Sequence, residues 1–238
     1  MKPIIVPDQL PTVPWERVEG FVGQLTHDIR NGLNAVELQL TYLGEISTDP
    51  EAVDEIKRLR NSLANVTRQL LTLRTAMVTV TPYPQEYPAE EFFDDLRERF
   101  AKLRTEGTGE VVWDVKLDAG SLLSVDPELT INALLELLGN ALHFTRGATE
   151  PIRVQVTQDE HRVTFSLREP QPAEPGVPPD DWGRTPLLTT RRGAYGLGLF
   201  RVRRCLEAQG GTLDVAYSGE QNTLTTNVTL PGTAPKQP

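Results

Sequence analysis

The chain has 238 residues, 38% of them hydrophobic and 24% charged, a composition that folds into one large globular domain or two smaller ones. Its net charge of −9 works against nonspecific binding to nucleic acid or anionic membrane. The single cysteine, Cys205, excludes an internal disulfide and suits a reducing compartment. No run reaches the ~18 apolar residues of a membrane helix, and MKPIIVPDQLP is too proline-rich for a signal peptide. The expectation is a cytoplasmic protein with no membrane span and no nucleic-acid partner.

Residues 1–14, with Pro3, Pro7, Pro11 and Pro14, read as an extended arm. From Trp15 the pattern turns helical, with Val18, Val22, Leu25, Ile29, Leu33, Val36, Leu40 and Leu43 recurring every three or four residues. Thr48, Pro50 and Glu51 read as a new helix start, with Thr48 as the cap. Ile56, Leu59, Leu63, Val66, Leu70, Leu73 and Met77 then form a coiled-coil seam. Two long helices with a short connection make an antiparallel hairpin, which alone cannot cover both stripes. A second copy would bury them in a four-helix bundle, so a homodimer is expected. TPYPQEYP marks a linker or an edge strand into a new domain.

Beyond it the element types mix. Helical patterns cover 89–103, 127–144 and 196–209. Strands are expected at 110–117, in the hairpin IRVQVTQ and RVTFSLR, and in the closing TLDVAYS and TLTTNVTL. Residues 169–193 read as a proline-rich loop. This is an α + α/β chain: an arm (1–14), a helical hairpin (15–80) and an α/β sandwich (81–238).

Three short patterns carry chemistry. At ~100° per residue, His27 lies roughly 170° from the Leu25–Ile29–Val36–Leu43 stripe, facing solvent, with Asn31 one turn on and Asp28 at the border. An imidazole beside a carboxylate suits nucleophilic work, although any solvated helix face carries polar residues. Glu136 and Asn140 share a face of the 127–144 helix, where their oxygens suit Mg²⁺ held with phosphates. Gly193, Gly196 and Gly198 lead from a loop into a helix, with Arg191 and Arg192 just before, an arrangement that suits phosphate.

Together the three resemble the histidine kinases of two-component signalling. HDIRN is similar to the family's H-box, LLELLGNALHFT to its N-box and GAYGLGL to its G2 box, and the resemblance covers roughly residues 15–231. It implies that 15–80 is the dimerisation and phosphotransfer hairpin and 81–238 an ATP-binding domain of the histidine kinase/gyrase/Hsp90 type, with ATP and Mg²⁺ as cofactors. His27 would carry the phosphoryl group, Asp28 would serve as its base and Asn31 would position water. Asn140 would bind Mg²⁺ with Glu136 nearby, and His143 would stand at a usually basic position. Arg191, Gly193, Gly196 and Gly198 would meet the phosphates. Implied partners are a second copy, a response-regulator receiver domain and a separate sensor protein. Gly32 replaces the family's usual proline, which predicts a local kink.

The family's adenine-reading Asp-x-Gly-x-Gly box is missing. Glu169 stands at the aspartate's place, followed by Pro170 and Pro172 in place of flexible residues. Asp181-Trp182-Gly183 follows a Pro-Pro turn rather than a strand, so Trp182 is expected to anchor the far end of the loop. A histidine kinase is therefore expected alongside two alternatives: an ATP-independent histidine phosphotransferase with a decayed nucleotide site, and a non-catalytic scaffold for a response regulator.

Overall fold

The structure, a computed structural model, describes residues 13–77, 80–103, 109–145, 148, 150–159, 161–171, 175–190 and 195–233. The predicted arm thus lies almost wholly outside the described residues. Contacts divide the chain into two compact units, Met1–Val78 and Thr79–Pro238.

In the first unit, helix α1 (Trp15–Ile46) and helix α2 (Pro50–Met77) pack on each other as a hairpin. The start of α2 is capped by Asp49 rather than the expected Thr48. Its Oδ1 accepts from the Glu51 amide at 3.1 Å and its carbonyl accepts from Val53 at 3.0 Å, which makes Pro50 the first helical residue, where its missing N–H costs nothing. Arg60 reaches across to Glu37 at 2.8 Å. α1 runs as one unbroken helix through Gly32. Thr26 and Leu40 are buried within the hairpin. Leu25, Ile29, Val36 and Leu43 on α1, with Leu59 and Val66 on α2, remain 38–48% exposed. The α1 residues of this set fall within about 40° of one another around the helix, so they form one uncovered stripe.

In the second unit, strands β1 (Gln85–Pro88), β2 (Val111–Lys116), β3 (Leu122–Val125), β4 (Ile152–Gln158), β5 (Arg162–Pro170), β6 (Thr212–Ser218) and β7 (Thr223–Thr233) form one sheet. The order is β1-β3-β7-β5-β4-β2, and β6 also pairs with β7. β2 and β4 are parallel; the other pairs are antiparallel. Helices α3 (Ala89–Leu103), α4 (Pro127–Phe144) and α5 (Gly198–Glu207) supply the apolar layer over one sheet face. Strand alternation turns Val163, Phe165 and Leu167 into that layer. Phe93 stacks on Phe165 at 6.4 Å and meets Phe92 edge-on at 5.2 Å, geometries worth about 0.5–1.5 kcal/mol each beyond the area they bury.

The expected loop at 169–193 begins late. Glu169 and Pro170 still belong to β5, paired with Leu224 and Thr223. β7, at 11 residues, is long enough to carry the pairing through them, and a proline is tolerated at the end of a strand. β3 is an element that the sequence pattern did not predict.

Candidate functional site

On α1, the side chains of His27 and Asp28 are 66% and 60% exposed. His27 Nδ1 lies 3.2 Å from Asp28 Oδ1 and 3.4 Å from Asn31 Nδ2. These contacts compete for one nitrogen. A protonated Nδ1 donates to Asp28; an unprotonated one accepts from Asn31. The shorter distance and the carboxylate's charge favour the first arrangement, which leaves Nε2 with its lone pair free toward solvent. The carboxylate is itself oriented by Gln24, whose amide donates to the same Oδ1 at 2.9 Å. The Gln24 amide first, then the His27 ring, hold the Asp28 carboxyl below its ordinary range. Gln24 acts one turn before the pair, and a solvent-facing glutamine gave no signal of this in the sequence.

In the second unit, Glu136 on α4 and Gly198 at the start of α5 meet where the two helices approach. Asp126 caps α4, accepting from Leu129 N at 3.0 Å, with Pro127 in the first turn. Buried Gln209 accepts from the Asp126 amide and donates to the Cys205 carbonyl at 2.9 Å, tying the start of α4 to the end of α5. α4 buries Ile131, Leu134, Leu138 and Ala141 and turns Glu136, Asn140 and His143 to its open side. The His143 ring meets Phe144 edge-on at 5.3 Å.

Gly198 opens α5, and a β-carbon there would run into the Glu136 carboxylate. The absence of a side chain therefore lets an acidic group rest on the amino-terminal end of a helix, where the helix dipole favours anions. Gly196 has φ 65°, a left-handed conformation, and a β-carbon on it would strike the Leu187 and Leu188 backbone at 2.6–2.8 Å. Its carbonyl accepts from Leu187 N at 3.0 Å. Gly196 thus closes the loop onto itself, and Gly198 is the residue that meets the α4 cluster. Arg191 and Gly193 lie outside the described residues.

Trp182 pins the loop. Its indole N–H donates to Val177 O at 3.0 Å, and its carbonyl accepts from Nε and a terminal nitrogen of buried Arg203 at 3.0 and 2.9 Å. Gly183, at φ 69°, lets this turn press against the Leu199 carbonyl of α5. The Asp181-Trp182-Gly183 segment is therefore an anchor for the loop on α5.

Glu169 lies on the helix-covered face of the sheet, in phase with Val163, Phe165 and Leu167. It is 4% exposed, and its Oε2 has no hydrogen-bond partner among the described residues. Burial pushes its carboxyl up to about 7. An orphaned buried polar atom costs about 1–3 kcal/mol, so a group that pairs with it on binding recovers that cost. Register places Thr226 on the same face, across from Leu167 and two register pairs along from Glu169; it is 1% exposed. Leu224, paired with Glu169, is buried outside the continuous apolar core. The two polar side chains thus share an otherwise apolar patch at the end of that core. Among the described residues, no group of three or more His, Cys, Asp or Glu side chains could hold a metal, so a cation here would need oxygens from a ligand besides Asn140.

Residues 125–234 match the model of the "Histidine kinase-, DNA gyrase B-, and HSP90-like ATPase" family. The adaptive-response sensory kinase SasA of Prochlorococcus marinus (strain MIT 9313) is 25% identical over 204 residues, covering 82% of this chain and 54% of that protein. The signal transduction histidine-protein kinase BarA of Escherichia coli (strain K12) is 22% identical over 219 residues, covering 85% of this chain and 23% of that protein. This chain thus spans about half the length of one relative and about a quarter of the other. The crystal structure of full-length ShkA in complex with AMPPNP shares the fold with a TM-score of 0.66 at 23% identity, over 91% of this chain and 47% of that one. Among the described residues, no helix is long and apolar enough to cross a membrane.

Proposed function

We propose that this chain is a histidine-kinase core, its residues 125–234 matching the histidine kinase-, gyrase B- and HSP90-like ATPase model, and that it transfers the γ-phosphoryl group of ATP to His27 and passes it to an aspartate of a receiver domain. The observation that carries this reading is the exposed His27 ring, held through Nδ1 by Asp28 at 3.2 Å, which leaves Nε2 free to attack. Nε2 forms the N–P bond as the bond from the γ-phosphorus to its bridging oxygen breaks and ADP leaves. The Nδ1 proton passes to or is shared with Asp28, which balances the positive charge on the ring. Asn31, one turn on, can hold a water for the reverse, hydrolytic direction.

The donor side fits a nucleotide. The orphaned Glu169 oxygen offers a contact to a base, and the amino-terminal end of α5 offers backbone amides to phosphates. Glu136 already occupies the approach to Gly198, so phosphate and carboxylate can share that space only with a cation between them. Asn140 would hold Mg²⁺, which would supply charge neutralisation on the phosphates. The uncovered stripe from Leu25 to Leu43 supports a homodimer closed as a four-helix bundle.

Incubation with γ-labelled ATP and Mg²⁺ should give an acid-labile, base-stable phosphate that His27→Ala abolishes. A second reading draws on β5 continuing in paired strand through Pro170, where the family has its glycine-rich box. In that reading the hairpin is an ATP-independent phosphotransferase, and a phosphorylated receiver domain should label His27 without ATP. No label by either route would leave a scaffold.

A further inference from the structure

We propose that Glu169 reads the nucleobase as a neutral carboxylic acid, donating its O–H to a ring nitrogen while accepting from an adjacent exocyclic amino group, with Thr226 as the neighbouring polar contact. This rests on the reading of the second unit as a nucleotide-binding domain and specifies which atoms of the base's edge Glu169 reads.

The reasoning begins with burial. Glu169 and Thr226 are the polar side chains on a patch walled by Leu167 and Leu224. Among the described residues, Oε2 is without a partner. No described charged group neutralises the carboxyl, and burial alone acts on it. The charged side chains of neighbouring elements point elsewhere. Arg168 and Arg153 are exposed on the opposite sheet face. Glu136 and His143 lie on the open side of α4. Arg203 is taken by the Trp182 carbonyl and Glu207, Arg204 lies over Phe200, and Arg201 acts on Cys205. A carboxylate placed here has no counter-charge among the described residues, so the neutral form is favoured, in keeping with a carboxyl raised to about 7.

Protonation changes what the group recognises. An ionised carboxylate only accepts, which matches an edge with two adjacent N–H donors, as in guanine. A neutral carboxyl donates through one oxygen and accepts through the other. That pattern matches the 6-amino group and the adjacent ring nitrogen of adenine. A shorter aspartate in the ionised state would need only the amino group; the neutral glutamic acid engages both.

The test is calorimetric titration of the full chain with adenosine and with MgADP between pH 6 and pH 9. Adenosine has no group that titrates in this range. Affinity should fall roughly tenfold per pH unit above pH 7, because only the protonated fraction binds. Glu169→Gln keeps one donor and one acceptor and should bind with little pH dependence. At pH 6, 1-deazaadenosine, which lacks the acceptor nitrogen, should bind wild type at least tenfold more weakly than adenosine. Wild-type affinity that does not change with pH, an equal slope in Glu169→Gln, or equal binding of adenosine and its 1-deaza analogue overturns the proposal. If neither protein binds any nucleotide at any pH, the nucleotide-binding reading itself is lost. The 1-deaza comparison needs no variant and stands even if Glu169→Gln folds poorly.

Discussion

Replacing Gly198 by alanine separates two roles that glycines play at this site. The backbone of Gly198 is helical, so an alanine costs no strain there and favours helix by at most about 1 kcal/mol. In a domain of this size that moves Tm upward by no more than about 2–4 °C. The new methyl group, however, meets the end of the Glu136 side chain and its carboxylate. That group is flexible, so it swings away from the start of α5 instead of distorting the backbone. The expected result is a stable protein with weakened Mg²⁺-nucleotide binding, on the order of tenfold for the loss of one oriented charged contact, about 1.4 kcal/mol. A double-mutant cycle with Glu136→Ala checks the cause. If Gly198→Ala acts by displacing Glu136, it has no further effect on MgADP affinity once Glu136 is gone, giving a coupling energy near the whole single-mutant loss. Additive losses, or a fall in Tm for Gly198→Ala, would refute the reasoning. Gly196→Ala is the contrasting control. Its left-handed backbone costs an alanine about 1–2 kcal/mol, and its β-carbon strikes backbone that cannot move aside, so it should break the Leu187–Gly196 closure independently of Glu136.

Glu169 links stability to pH. A carboxyl raised from 4.5 to about 7 in the folded chain stabilises fully below the unfolded value, and that contribution is lost as pH rises through the folded one, a loss of about 3 kcal/mol by pH 8. Chemical denaturation of wild type and Glu169→Gln should converge near pH 4.5 and diverge toward pH 8, with the variant the more stable there. Arg203→Met removes both donors from the Trp182 carbonyl and should destabilise by about 1–3 kcal/mol, with a red shift in tryptophan emission as the loop anchor loosens. Val36→Glu places a charge within the uncovered α1 stripe, and sedimentation should show a monomer for the variant and a dimer for wild type. Asp28→Asn removes the charge that holds the His27 ring and should lower His27 labelling at least tenfold while the hairpin's helicity is unchanged by circular dichroism.

Much of this protein was written in local patterns. Apolar spacing of three and four set out both hairpin helices and the 127–144 helix, because helix periodicity depends on neighbours one turn apart. The same spacing put His27 opposite the apolar stripe, where the structure has it exposed. The alternating run RVTFSLR announced a strand and its hairpin partner for the same reason. Other features depended on residues far apart in the chain. β3 is four residues long and becomes a strand by pairing with β1 and β7. Thr226 is one threonine among several in TLTTNVTL, and only the β5–β7 register sets it beside Glu169. Gly196 and Gly198 looked equivalent in sequence. Tertiary contact gave one a backbone closure and the other the Glu136 carboxylate. The chain by itself determined which residues could do chemistry, since residue type and helical phase are local properties. Packing alone decided which were deprived of water and of partners, because burial and an unmatched oxygen such as that of Glu169 arise only where distant segments close over it.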